Sequence, residues 1–448
     1  MAWCSRRTSA TVSGSRTAFL ARLALPDARG RWIEDAAILV EDGRVLEVGR
    51  REDVDLSGFD RVDLGRVAVL PGFVNGHTHA AMSLLRGFGD GLPLHAWLER
   101  VWSVEAEMDQ ESIYLGSLVG VAEQLASGIT SFVDFYNVEP MLRVLREVPA
   151  RAVLTLAFMD RVEYMEEESW RRARSVGDYL SMVREESGGR VELALGPHAP
   201  YSCSEEMLRT IAELSRRHGL RVHTHLSETR EDVERVLGER GRTPVAYLDG
   251  LGLVGGRLIA AHGVHLTAEE MRTLGSRGAS VIHCPRSNSR LGVGVAKVDE
   301  MIRAGVNVGL GTDGQASSDS LDMFEEMRLM VYLQRARAGD PSVISARAAL
   351  EAATIGSARA AGLDDVGTLS PGRRADFVVL DLSSIELRPA WDLTTNVVMA
   401  AGRADVRSVY LAGNRVVEGG RPLIRGLEEA ADALEAFRAR FAASGGAR

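Results

Sequence analysis

Two kinds of hydrophobic pattern alternate along the chain. Short, nearly continuous apolar runs occupy 129–135, 152–159, 191–195, 220–225, 257–261, 279–283 and 306–310, and stretches of helical texture such as 112–126 and 205–217 lie between them. Continuous apolar runs are what strands buried on both faces require. Strand-helix alternation sustained over about 290 residues predicts a parallel sheet, and at that length a closed (β/α)8 TIM barrel. The two ends of the chain have a different texture. Apolar residues 37–40 and 45–48 flank a turn containing Asp42-Gly43, which is a hairpin signal. A similar texture returns at 376–380 and 409–417. The expected architecture is therefore α/β: a barrel over 71–368 and a small discontinuous β-sandwich domain from 16–70 and 369–425. Residues 1–15 are expected to form a disordered extension and 426–448 a C-terminal helix.

Composition narrows the class of function. The chain has 448 residues, 45% hydrophobic and 26% charged, which is ordinary for a globular protein and excludes disorder and low-complexity architectures. A net charge of -9 with no basic stripe makes nucleic acid an unexpected partner. No run approaches the ~18 apolar residues of a membrane span. Arg6-Arg7 is followed by the polar stretch 8–16, so no export signal is read there. The cysteines, Cys4, Cys203 and Cys284, are scattered and form no C-x-x-C pair, which fits a cytoplasmic protein. Lys297 is the single lysine.

The placement of ten histidines is the main chemical signal. His77-Thr78-His79 follows one apolar run and His223-Thr224-His225 ends another. In a strand, residues two apart point to one side, and at the C-terminal mouth of a barrel that side is the active site. Chance gives roughly 0.2 H-x-H pairs in a chain of this composition, so two are informative. Within the second pair His225 carries the weight and His223 has a structural alternative. Gly311-Thr312-Asp313-Gly314 follows the last strand-like run and places one carboxylate at a strand end, among glycines that permit close approach to a ligand. Glu228 lies three residues after His225, and His262 ends the run 258–261. Three histidines and a carboxylate suit Zn²⁺ or Fe²⁺ and leave room for a water, whose pKa such a metal lowers towards 7. Asp313 with His262, and Glu228, fit the base and acid that hydrolysis then needs.

These motifs resemble the amidohydrolase superfamily from about residue 35 to 425, with Pro71-Gly72-Phe73-Val74-Asn75-Gly76-His77-Thr78-His79 as its first-strand motif. Pro371-Gly372-Arg373-Arg374-Ala375-Asp376-Phe377 is similar to the re-entry into its small β domain. Within the superfamily, the stretches from Ala80 to Gly87, Leu92 to Leu98 and Ser320 to Arg328 are most similar to the methylthioadenosine/S-adenosylhomocysteine deaminases and related chlorohydrolases. The resemblance implies His77, His79, His225 and Asp313 as ligands of one divalent metal per subunit, zinc first and iron second. It implies Glu228 protonating a ring nitrogen, His262 shuttling protons, Glu105 holding ribose hydroxyls and His198 helping to bind substrate. The implied reaction is attack of metal-activated hydroxide on the amine-bearing carbon of an adenosine-type nucleoside, with release of ammonia. A small-molecule substrate and a homo-oligomer are the family expectation. Guanine, a pterin, a futalosine-like nucleoside or an s-triazine are alternative substrates, and amide hydrolysis is an alternative reaction. A mononuclear site agrees with Lys297 falling late in the chain, away from the mid-barrel position of a bridging carboxylated lysine. Three departures from the family pattern stand out: Ser103 in place of proline, Arg286 with the loop Ser289-Arg290-Leu291-Gly292, and no substrate-binding arginine near Leu156.

Overall fold

The computed structural model describes residues 16–443. Two sheets organise it. The first is a ring of parallel strands in chain order: Phe73–His79, Ile129–Asp134, Arg151–Phe158, Val191–Pro197, Arg221–Leu226, Leu258–His262, Ser280–His283 and Asn307–Leu310. The last of these continues into the short strand Asp313–Gly314, which pairs back onto Thr78 and His79 of the first strand and closes the ring. Inside it, Val74, Val133, Val153, Ala194, Ile259 and Ile282 pack into one apolar layer, joined from below by Ala358, Ala360 and Ala361. With its interior filled, only the mouth at the strands' C-terminal ends can hold a ligand.

The helices between strands begin where short polar side chains satisfy free backbone amides. Asp109, Ser204, Thr229 and Thr267 each cap a helix in this way, and Thr229 and Thr267 form reciprocal capping boxes. Gly219 and Gly241 end two of these helices in the left-handed conformation.

The second sheet has nine strands drawn from both chain ends. The seam lies where Phe377–Asp381 runs antiparallel to Val67–Pro71, just before the chain enters the barrel. Expected as a β-sandwich, this unit is one continuous sheet folded over its own core. Phe19, Phe377 and Tyr410 meet there with ring centroids 4.5–5.2 Å apart. The fold-over is held by backbone bonds: Ala375 N–H donates to the Gly43 carbonyl (3.0 Å) and Val45 N–H to that of Arg373 (2.8 Å). Asp42 and Gly43 both have positive φ, 50° and 74°, the geometry a two-residue hairpin turn demands. The C-terminal helix Leu427–Ala443 adds Phe437 to the cluster of Leu94, Trp97 and Leu98 above the barrel mouth. No helix among the described residues is long and apolar enough to cross a membrane.

Candidate metal centre

Each candidate ligand sits where a barrel strand ends. His77 and His79 lie at the end of the first strand, His225 near the end of the fifth and His262 at the end of the sixth, while Asp313 follows the eighth. The Nε2 atoms of His77 and His79 stand 3.3 and 3.2 Å from Asp313 Oδ1. His225 Nε2 lies 3.4 Å from His79 Nε2. Ser227, His262 and Asp313 all have positive φ (50°, 72° and 57°), a strain that non-glycine residues adopt where surrounding structure enforces it.

Hydrogen bonds behind the imidazoles fix their tautomers. His79 Nδ1 donates to the Phe135 carbonyl (2.7 Å) and His225 Nδ1 to that of His198 (2.8 Å). A carbonyl only accepts, so both Nε2 lone pairs face inward. His77 Nδ1 lies 2.9 Å from His223 Nε2, and His223 Nδ1 lies 2.9 Å from Thr155 Oγ1. A proton on His77 Nδ1 sets this relay donor-to-acceptor as far as the Thr155 hydroxyl and leaves His77 Nε2 bare as well. Burial pulls His77 down to about 4 and His223 and His225 well below the ordinary imidazole range, keeping all three neutral. Burial also opposes charge on His79, but the Asp313 carboxylate beside it reverses that and raises it. Asp313 itself would be raised by burial. The two imidazoles override this and hold it well below the usual carboxylate range. Its other oxygen accepts from Ser287 Oγ (2.7 Å) and Ser317 Oγ (2.8 Å).

A divalent cation fits this set. Lone pairs converging on a carboxylate repel unless something positive lies between them. Bonds of about 2.1 Å in tetrahedral to octahedral geometry require neighbouring ligand atoms about 3.0–3.4 Å apart, and the separations here are 3.2–3.4 Å. His77 Nε2 and His262 Nε2 are buried without a hydrogen-bond partner among the described residues. Lys297 is exposed, immediately before the short helix Val298–Arg303.

Above this centre lies a cleft of about 330 Å³. His79, His225, Glu228, His262 and Asp313 line it, with the His198 ring packed against that of His225 (centroids 4.6 Å apart), and Glu105, Trp97 and Trp102 of the helix Leu94–Glu105 line it too. Burial pushes Glu228 up to about 7, and its Oε1 lies 3.7 Å from His262 Nδ1, which donates to Asn288 Oδ1 (2.9 Å). Glu105 accepts from the Tyr136 hydroxyl (2.6 Å), and burial raises it too. His198 Nδ1 meets Ser202 Oγ at 3.0 Å, and burial lowers it to about 3. Of the eight candidate residues, all but His77 line this cleft, and His77 lies against Asp313.

Several features differ from what the motifs suggested. Gly311 and Gly314 make room for protein rather than for a ligand. A Cβ on Gly311 would stand 2.7 Å from Ile282 and 2.9 Å from His77, and one on Gly314 would stand 2.8 Å from Met82. Leu156 is buried in the core, and Ala157 beside it lines the cleft. The departures at Arg286 and Arg290 are tied to neighbouring segments: Arg286 pairs with Ser320 and Glu325, and Arg290 Nε donates to Asp319 (2.8 Å). Of the remaining histidines, His95 lies 3.5 Å from Glu231 and Asp232, His265 bonds the Val293 carbonyl, and His283 is buried at a strand end. Tyr136, Thr155 and Arg172 carried no signal in the sequence, whereas Asn288 lies in a stretch, His283-Cys284-Pro285-Arg286-Ser287-Asn288, whose use was not evident.

Residues 68–416 match the profile of the amidohydrolase family. The chain is 40% identical over 392 residues to a 5-methylthioadenosine/S-adenosylhomocysteine deaminase of Pelotomaculum thermopropionicum, covering 86% of this chain and 89% of that one. It is 38% identical over 399 residues to a 5′-deoxyadenosine deaminase of Methanopyrus kandleri, covering 87% and 91%. The crystal structure of an adenosine deaminase from Xanthomonas campestris with bound zinc superposes with a TM-score of 0.90 at 32% identity, covering 96% of this chain and 99% of that one.

Proposed function

The chain belongs to the amidohydrolase family, and from that premise we propose that it is a metal-dependent hydrolytic deaminase of adenosine-type nucleosides. The observation that carries the reading is a carboxyl held near neutrality, Glu228, beside His262 and over a four-ligand set in one cleft. The relatives' activities agree with it.

His77, His79, His225 and Asp313 would hold the cation, with Zn²⁺ favoured by the three-nitrogen, one-oxygen set and Fe²⁺ accepting the same donors. When bound, it supplies Lewis-acid activation of a water molecule. Glu228 hands its proton to the ring nitrogen next to the amine-bearing carbon. Asp313 with His262 takes the proton of the attacking water and passes it to the departing ammonia. Glu105 accepts hydrogen bonds from the ribose hydroxyls, and His198 helps to hold the substrate. A cytoplasmic location is part of the same proposal, and the buried free thiols of Cys203 and Cys284 are compatible with it. A homo-oligomer is part of the same proposal.

Ammonia release by the zinc-loaded protein tests the reading across 5-methylthioadenosine, 5′-deoxyadenosine, adenosine, S-adenosylhomocysteine, guanine and a pterin. Turnover confined to the nucleosides is expected. Turnover of guanine or the pterin alone would overturn it.

A further inference from the structure

On the deaminase reading, on which this inference rests, Glu228 is one proton short after every turnover. The product keeps the Glu228 proton on its ring nitrogen. When the C–N bond breaks, C–OH becomes C=O, and both protons of the attacking water leave with the amine as ammonium. One proton must then return from solvent to the Glu228 carboxylate. While the product ring lies against that carboxylate, the cleft offers no path for it.

Behind Glu228 lies a second space of about 10 Å³, lined by Ser227, Asp232, Tyr201 and Val236 among others. Glu228 and Tyr201 line both this space and the cleft, so the carboxyl stands between the two. Ser227 and Asp232 are only 4% and 5% exposed. Ser227 Oγ and Asp232 Oδ1 are buried without a hydrogen-bond partner among the described residues. A hydroxyl and a carboxylate oxygen are costly to leave unpaired in an interior. A space the size of one water with several polar neighbours is what an internal water requires.

Asp232 also connects to the surface. It lies in the first turn of the helix Arg230–Arg240, where its Oδ2 accepts from Thr229 N–H (3.1 Å). Its other oxygen lies 3.5 Å from His95 Nε2, and that nitrogen lies 3.5 Å from Glu231 Oε2. The His95 side chain is 38% exposed. Burial raises the Asp232 carboxyl above its usual range, outweighing Thr229 and His95, so it takes up a proton more readily than a surface carboxylate. Burial, with Asp232 and Glu228 nearby, holds the Tyr201 hydroxyl well above the ordinary phenol range, so it stays neutral. An imidazole facing solvent on one side and a buried carboxylate on the other has the form of a proton shuttle.

We propose that the space behind Glu228 takes one water bridging Ser227, Asp232 and Glu228, and that His95, Asp232 and this water return a proton to Glu228 before the product leaves. At each step one N–H or O–H bond breaks as the next O–H forms. The proton moves from His95 to Asp232, from Asp232 to the water and from the water to Glu228, and His95 takes its replacement from solvent.

A high-resolution crystal structure is expected to show one ordered water within hydrogen-bond reach of Ser227, Asp232 and Glu228. An absence of density there would overturn the bridge. His95→Gln removes the shuttle at an exposed position, and Val236→Ile fills the space without touching a polar group. Reloading follows the breaking of the C–N bond. With whichever nucleoside the native enzyme turns over fastest, kcat is therefore expected to fall about tenfold in each variant, while kcat/KM stays within about twofold. Raising the concentration of MES buffer is expected to restore kcat in His95→Gln and not in Val236→Ile. An unchanged kcat in both variants would overturn the relay, as would parallel falls in kcat and kcat/KM with no response to MES. Absence of turnover of every nucleoside by the native enzyme would instead overturn the deaminase reading, and the reloading step with it, whatever the density shows.

Discussion

At the residue scale, the site depends on which atoms hold protons. Glu228 is useful as an acid only while protonated, and burial has moved it to about 7. As pH rises through that value the acid form is lost, so kcat/KM is expected to fall on the alkaline side, about tenfold per pH unit. A flat profile from pH 6 to 9 would contradict the role. Glu228→Gln keeps the shape and removes the transferable proton. Its metal content, read by elemental analysis, is expected to match wild type while kcat drops by about 10²–10⁴. The relay from His77 through His223 to Thr155 makes a different prediction, because it acts on the tautomer of a proposed ligand. Thr155→Val removes the terminal acceptor without changing volume much, and metal affinity measured by chelator competition is expected to fall about tenfold. An unchanged affinity would reduce His223 to packing.

Elements matter because the proposed ligands sit on strand ends, where small displacements of backbone move them together. Gly311 follows the eighth strand and lies flush against Ile282 of the seventh and His77 of the first. Gly311→Ala would bring its Cβ within 3 Å of both, and neither neighbour is the free end of a flexible chain. The expected result is a stability loss of about 1–3 kcal/mol, seen as a lowered Tm, together with lower zinc content as His77 is pushed aside. The hairpin turn was legible as a local pattern: Asp42-Gly43 predicted it, and its positive φ values bear that out. The convergence of Glu105 with Tyr136, and of Arg172 with Asn137, had no local pattern at all, since each pair joins side chains whose elements meet only through the barrel.

At the scale of the whole molecule, the small sheet and the barrel share a buried charge. Asp376, at the seam, accepts from Ala412 N–H (2.6 Å) and lies 3.7 Å from Arg151 at the start of the third barrel strand. Burial pushes its carboxyl up to about 6, despite that arginine. The folded state therefore binds the proton more tightly than the unfolded chain, whose carboxyl titrates near 3.9. The stability this group contributes is fully present below about 4 and is lost as pH rises through about 6. Asp376→Asn keeps the acceptor and removes the titration. Its Tm relative to wild type is expected to improve steadily between pH 4 and 7, and a constant difference across that range would contradict the assignment.

What the sequence by itself determined is the part that depends on periodicity and on spacing within one strand. The alternating apolar runs demanded a parallel barrel, and the two-residue period placed His77 beside His79. Chain order then brought strand ends, and with them Asp313, His225 and His262, to one mouth. Tertiary structure alone decided the rest. It turned His223 into the support of His77, enclosed Arg172 among acceptors, and made Gly311 a packing contact instead of an opening for ligand. The physical reason is the same in each case. Hydrogen-bond partners and burial come from residues far apart in the chain, and a side chain's protonation and availability are properties of that surrounding rather than of its neighbours in sequence.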